Sequence, residues 1–413
     1  MKRYFAFFFV IFFLVILQGC YNQGSSAPAP TNVSVVAGDT SATVSWDMLP
    51  GVEYWVFKAA GTDITPLSCF GLPQCQMIMK ANSPAVVTGL TNGTTYSFTI
   101  NGRIDGGKGG PGSPSVQAVP RLAGAAWRVA ATAGTYDLRA VTYGAVFVAA
   151  GVNGALFTSS DGNIWSVPAS SPQTTATLNA ASYYGGKYVV VGAGGKVFLS
   201  SDAVTWDPPT SAPLATQDLY AVSNYSTAGY IATGAGGTII YSDDGKNWIS
   251  ATSVTTNPLY GVTYGSGKYI AVGASGILLT STDGKTWSNL IASNTANTLN
   301  AVAYAPSIGT TGTGTFVAVG ANATIVVSTD GGVSWAPLAS TSPFTSATAI
   351  NSVTYGRQFV AVANDGKIFT STDGMIWVVT TSSPVNSTAL FAVTHGLYDY
   401  TAVGASGLNM HSK

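Results

Sequence analysis

Seven tryptophans, Trp127, Trp165, Trp206, Trp248, Trp287, Trp335 and Trp377, recur about every forty residues along the later part of a 413-residue chain. A fixed period of this length marks a structural unit that cannot bury its apolar face alone and stacks on copies of itself. Each unit runs in the same order. In one, an alternating segment at 259–264 leads through Gly265-Ser266-Gly267 to a second at 269–273. A tight Ala274-Ser275-Gly276 turn then gives a third segment at 277–281, and Asp283-Gly284 precedes a fourth that holds Trp287. Four short strands joined by tight turns are the content of one β-propeller blade.

First strands start near Leu138, Leu178, Leu219, Leu259, Leu299, Ile350 and Leu390. The last unit lacks its tryptophan strand, and Ala126-Trp127-Arg128-Val129 supplies one ahead of the first unit. The expected fold is therefore all-β, with a seven-bladed propeller over 121–413 closed by pairing of its two ends. Such closure leaves no open sheet edge.

The N-terminus predicts an address. Lys2 and Arg3 precede an apolar run at 5–17, shorter than the roughly 20 residues a membrane span needs. The following Leu17-Gln18-Gly19-Cys20 resembles the lipobox of bacterial lipoproteins. That resemblance implies a signal peptide at 1–19 and lipidation of Cys20. Tyr21 stands where an Asp would retain such a protein at the inner membrane. The implied site is the outer membrane, periplasmic or surface-facing, with membrane contact through the lipid. Residues 20–30 are expected to form the lipidated Cys and a polar linker that holds the next domain off the membrane. An exported chain meets an oxidising compartment, so Cys69 and Cys75 are expected to form a disulfide around a small loop.

Residues 31–120 read as a small β-sandwich. Alternation is clear in Ala42-Thr43-Val44-Ser45-Trp46 and Tyr54-Trp55-Val56-Phe57. The stretch from Leu90 through Tyr96 to Ile100 resembles the tyrosine corner and following strand of a fibronectin type III domain, and Trp46 and Ser113-Pro114-Ser115-Val116 agree with it. The resemblance implies a spacer or protein-binding platform. Arg103-Ile104-Asp105 lacks the central Gly of an adhesion motif and is expected to be a solvated loop.

Ahead of six of the tryptophans stand Asp161, Asp202, Asp244, Asp283, Asp330 and Asp373, in turns such as Ser281-Thr282-Asp283-Gly284. These turns resemble the Asp-box, or BNR, repeat of sialidases. The fifth unit also resembles the repeats of photosystem II assembly-factor propellers. A short carboxylate in a turn accepts hydrogen bonds from the N–H groups that follow it, and Gly supplies the positive φ. A residue recurring in nearly every blade serves the blade, so the six Asp and the seven Trp are expected to be structural.

Composition narrows the function. Only 8% of residues are charged and the formal net charge is zero, so no basic stripe exists for nucleic acid. The sialidase resemblance requires an arginine triad, a Tyr nucleophile with a Glu partner and an acid/base Asp. The sole glutamate is Glu53, far outside the repeats, which disfavours that activity. An inverting glycosidase needs only two carboxylates roughly 6.5–9.5 Å apart, and Asp137, Asp218 and Asp365 are the candidates. His395 and His411, the only histidines, lack a third ligand in a recognisable motif, so no metal or other cofactor is expected. The polar, uncharged loops at 166–177, 207–218, 249–258, 288–298, 336–349 and 378–389 are the expected place for a ligand. The expected function is a non-catalytic protein-interaction module or scaffold on a lipid anchor. The alternative is a carbohydrate-binding or two-Asp carbohydrate-active propeller. Solvent-facing aromatics across one face would favour the alternative, and Phe344 is the main one in the loops.

Overall fold

The computed structural model describes residues 24–412 except 62, 132–133, 209–215, 226–228, 290–291, 307–311, 339–342, 344–347, 381–386 and 398. Cys20 and the signal segment lie outside the described residues. The chain divides into two units, Met1–Leu122 and Ala123–Lys413.

The first unit is a two-sheet sandwich. One sheet orders Ser34–Gly38, Ser41–Ser45 and Ala85–Thr88; the other orders Gln76–Ala81, Val52–Ala60, Tyr96–Ile104 and Val116–Ala118. Alternation sends Val44, Tyr54, Val56, Val87, Phe98 and Ile100 inward around Trp46. The Tyr96 hydroxyl returns to the backbone and accepts from the Thr91 N–H at 3.2 Å. A short helix, Pro66–Cys69, is capped reciprocally by Thr65 and Ser68 and carries Cys69, which is disulfide-bonded to Cys75 with Cα atoms 5.3 Å apart.

Two local expectations change. Residues 24–30 are not a free linker: Ser25 O accepts from the Ile104 N–H at 2.8 Å, Ser26 bridges Arg103, and Ala27 is buried. Arg103 and Ile104 end a strand rather than occupying a loop: they pair with Glu53 and Val52, and the Arg103 guanidinium lies 3.3 Å from the Trp55 ring centre.

The second unit contains seven antiparallel sheets among the described residues. Their innermost strands are Leu138–Tyr143, Leu178–Tyr184, Leu219–Tyr225, Leu259–Gly265, Leu299–Ala305, Ile350–Tyr355 and Leu390–His395. Each contacts the next, and the seventh contacts the first, so they form a ring. The fourth blade is representative: Lys268–Gly273, Leu278–Ser281 and Ser288–Asn289 follow its inner strand. In the first two blades the outermost strand shrinks to single bridges, Thr158 with Ser166 and Leu199 with Asp207.

The seventh blade takes its outer strand from Trp127–Val129, with Ser412 opposite Trp127 and Met410 opposite Val129. The turn chemistry is rebuilt across the two chain segments. Ser412 Oγ accepts from the Gly124 N–H at 2.6 Å, and the Trp127 indole N–H donates to Gly124 O at 2.8 Å. In the fourth blade, Ser281 Oγ accepts from the Gly284 N–H at 2.8 Å and Trp287 donates to Gly284 O at 3.0 Å. Ala123 stands where the other blade has Asp283, so the joint keeps the serine clamp and omits the carboxylate.

The repeated residues build the periphery. Oδ1 of Asp283 accepts from the N–H groups of Lys285 and Thr286, each at 2.8 Å, and Asp161, Asp202, Asp244 and Asp373 hold their turns in the same way. Asp330, in the one-residue-longer turn, shifts its bonds to Val333 and Ser334. Six of the tryptophans pack against an aromatic on the second strand: Phe147 with Trp165, Tyr188 with Trp206, Tyr230 with Trp248, Tyr269 with Trp287, Phe316 with Trp335 and Phe359 with Trp377. Among the described residues no helix is long and apolar enough to cross a membrane.

Candidate binding site at the channel mouth

The ring of inner strands encloses a cavity of about 520 Å³. What lines its mouth follows from one recurring irregularity. In the fourth blade Leu259 pairs with Gly273 and Gly261 with Val272, so Tyr260 is an extra, unpaired residue. This is a β-bulge, which bends the strand and re-aims a side chain. A Cβ on Gly273 would collide with the Pro258 carbonyl, so the close backbone approach at the bulge requires glycine. The same register shift occurs at the start of every inner strand. The bulged residues are Arg139, Asn179, Tyr220, Tyr260, Asn300, Asn351 and Phe391, and all seven line the cavity.

These seven side chains divide into two sets. The asparagines tie neighbouring blades together: Asn179 Nδ2 donates to Leu219 O at 2.9 Å, Asn300 to Ile350 O at 3.0 Å and Asn351 to Leu390 O at 2.7 Å. The others make contacts found once. Tyr220 and Tyr260 lie with ring centroids 5.2 Å apart at 37°. Arg139 sits 4.2 Å over the Phe391 ring and pairs with Asp137 at 3.1 Å. Burial pushes the Tyr220 hydroxyl's pKa up, with the Asp218 charge adding to it, so the phenol stays neutral. Deeper in, Val141, Val222, Val262, Val302, Val353 and Val393 form an apolar collar with Ala181 as its gap. Among the described lining residues Arg139 is the single charged group, and none is Asp, Glu, His or Cys.

The carboxylates proposed from sequence for hydrolysis sit in different blades, and none lines the cavity. Asp137 Oδ1 accepts from the Ser406 N–H at 3.0 Å, clamping the last blade to the first. Asp218 Oδ1 accepts from the Gly194 N–H at 2.8 Å, clamping the third to the second. Asp365 pairs with Lys367 at 2.7 Å. Burial pushes its carboxyl up, but hydrogen bonds from the Lys367 side chain and N–H outweigh this and hold it below the ordinary range. A general acid needs the opposite shift. His411 is fully buried, 3.1 Å from Thr401 Oγ1 and 3.4 Å from Asp399. His395 packs on Tyr400 at 4.8 Å. Among the described residues no cluster of three or more metal-ligating side chains occurs.

Sequence reasoning placed a ligand in the loops between blades. Residues 209–215, 290–291, 339–342, 344–347 (with Phe344) and 381–386 of those loops lie outside the described residues. The mouth ring was missed because its side chains belong to strands. A signal existed: the position after each first-strand Leu or Ile reads Arg, Asn, Tyr, Tyr, Asn, Asn, Phe, the most varied place in an otherwise repetitive segment.

Comparison with known proteins agrees with this architecture. Residues 28–119 match the fibronectin type III domain family. No curated protein matches the sequence. Among solved structures, YCF48 from Cyanidioschyzon merolae is similar at 16% identity and a TM-score of 0.56, covering 70% of this chain and 99% of that one. YCF48 bound to a D1 peptide is similar at 16% identity and a TM-score of 0.57, covering 69% and 94%. The WD40 propeller domain of Doa1 is similar at 12% identity and a TM-score of 0.54, covering 70% and 97%. At these identities the likeness concerns the fold. The chain thus joins a fibronectin type III domain to a propeller fold of the kind seen in YCF48 and Doa1.

Proposed function

We propose that this chain is a lipid-anchored protein of the bacterial cell envelope whose propeller is a non-catalytic interaction module, taking a polypeptide segment of a partner at the channel mouth. The observation that carries this reading is the ring of bulged residues around a cavity whose described lining holds no Asp, Glu, His or Cys. Tyr, Asn and Arg around a recess lined by Val, Ser and Thr side chains are the composition of a binding hot spot. A propeller of similar fold is solved with a peptide bound. The lipobox-like Leu17-Gln18-Gly19-Cys20 and Tyr21 support export and outer-membrane anchoring, and the Ser-x-Asp-Gly turns support kinship with Asp-box propellers in architecture. The test is co-purification from the native envelope, comparing wild type with Tyr220→Asn/Tyr260→Asn. A stoichiometric protein lost from the variant supports the reading; a partner retained in full moves the site elsewhere.

One observation favours a second reading. Tyr220 and Tyr260 are neighbouring, partly exposed aromatics lining the cavity, the kind of surface that suits a sugar ring. Saturable binding of a neutral glycan, abolished by the same variant, with no protein partner recovered, establishes the carbohydrate reading instead.

A further inference from the structure

The first unit is folded almost up to position 20. Residues 24–27 run along the strand Tyr96–Ile104, with Ser25 O accepting from Ile104 and Ala27 N–H donating to Gly102 O at 3.3 Å. A Cβ on Gly24 would overlap the Ile104 carbonyl, so the segment is closely seated from its first described residue. Three residues, 21–23, separate Cys20 from Gly24. Fully extended, that stretch spans at most about 14 Å.

The same end of the sandwich carries an exposed apolar tip. Val52 pairs with Ile104, so the turn that precedes Val52 lies beside Gly24, about 10 Å away across two strand spacings. In that turn Met48 is 45% and Leu49 49% exposed, followed by exposed Pro50 and Gly51. The charged groups near this end balance: Asp47, Glu53 and Asp105 against Lys80, Arg103 and Lys108, with Glu53 and Lys80 paired at 3.6 Å. The tip therefore meets no net repulsion from anionic headgroups. Leu67 and Phe70, more exposed still, lie toward the opposite end, where Ala60 pairs with Tyr96. Their segment packs beside Phe57 and Lys58, about 20 Å along the strands from the Gly24 end, beyond the reach of so short a tether. Strand Val116–Ala118 also pairs with Tyr96–Phe98 and so leaves the unit there.

We propose that the Met48–Leu49 turn is seated in the interfacial layer of a phospholipid bilayer, so that the fibronectin-like unit rests on the membrane instead of standing off it. This rests on lipidation of Cys20, as proposed above. The acyl anchor supplies a high effective concentration of lipid, and two apolar side chains then suffice to orient the unit.

The test uses full-length protein purified from bacterial membranes into phosphatidylethanolamine/phosphatidylglycerol vesicles. Leu49→Cys and Leu67→Cys are each labelled with an environment-sensitive fluorophore, since Cys69 and Cys75 are already paired. Lipids carrying a nitroxide near the headgroup serve as quencher, and mass spectrometry of the N-terminal peptide reads acylation of Cys20. The expected result is an acylated Cys20, at least about twofold quenching at position 49 and little at position 67. An acylated protein with position 49 unquenched, or quenched no more than position 67, overturns the membrane seating and leaves the anchor standing. An unacylated Cys20 overturns both.

Discussion

The outer turns and the inner mouth of the propeller are built from the same repeat but treat it differently. At the periphery the residues are nearly constant: a Ser clamps a Gly N–H, an Asp holds the next turn and a Trp closes the stack. At the mouth the backbone is equally constant, with one bulge per inner strand, yet the side chain on the bulge changes from blade to blade. Constancy marks what every blade needs to stack on its neighbours. Variation on a conserved backbone position marks where the molecule differs from a generic propeller. The mouth itself divides along this line, since its three asparagines make one repeated bond to the next blade's backbone, and the tyrosine pair and the arginine–phenylalanine pair are contacts found once.

The comparison breaks most visibly at a tryptophan. Trp287→Ala removes a buried ring and its bond to Gly284, and should cost about 3–5 kcal/mol in denaturant unfolding. Gly284→Ala comes next. Its φ is +71° and the added methyl would meet Ile231, so roughly 2–3 kcal/mol should be lost. Asp283→Ala frees two turn N–H groups that water can reach and should cost about 1–2 kcal/mol.

Acid sharpens the same point. Burial acts to raise the carboxyls of Asp244 and Asp330, but hydrogen bonds from the turns dominate and hold both at about 2. The unfolded value is near 4, so this stabilisation is complete above about pH 5 and disappears as pH falls through 2. The thermal midpoint should decline across that window, and by less in Asp244→Asn, which has no carboxylate there to titrate. The smallest effect is expected at the mouth. Tyr220→Asn/Tyr260→Asn installs the residue that three other blades use and should change stability by less than about 1 kcal/mol.

The sequence read well where the physics is local and repeated. The seven first-strand starts, Leu138 through Leu390, follow from alternation and Gly-rich turns, and the inner strands begin at those residues. It read poorly where tertiary contact decides. A bulge is invisible to alternation because it is the single residue that breaks the period, so Tyr260 passed as an ordinary strand residue. Residues 24–30 look like a linker by composition, and only their backbone bonds to Gly102 and Ile104 show otherwise. Arg103 belongs to a strand because it pairs with Glu53, a pairing between distant segments. Asp137 and Asp218 looked like candidate carboxylates because nothing in a linear chain shows that each caps a turn of the preceding blade.

The central claim is that the varied mouth residues serve recognition and the constant outer ones serve the fold. Its most direct test is one pair of measurements on Tyr220→Asn/Tyr260→Asn: unfolding free energy, and recovery of the envelope partner. The account predicts unchanged stability with partner recovery reduced at least tenfold, a loss of about 1.4 kcal/mol or more in binding. Full recovery of the partner, or a variant that unfolds like Trp287→Ala, would contradict it.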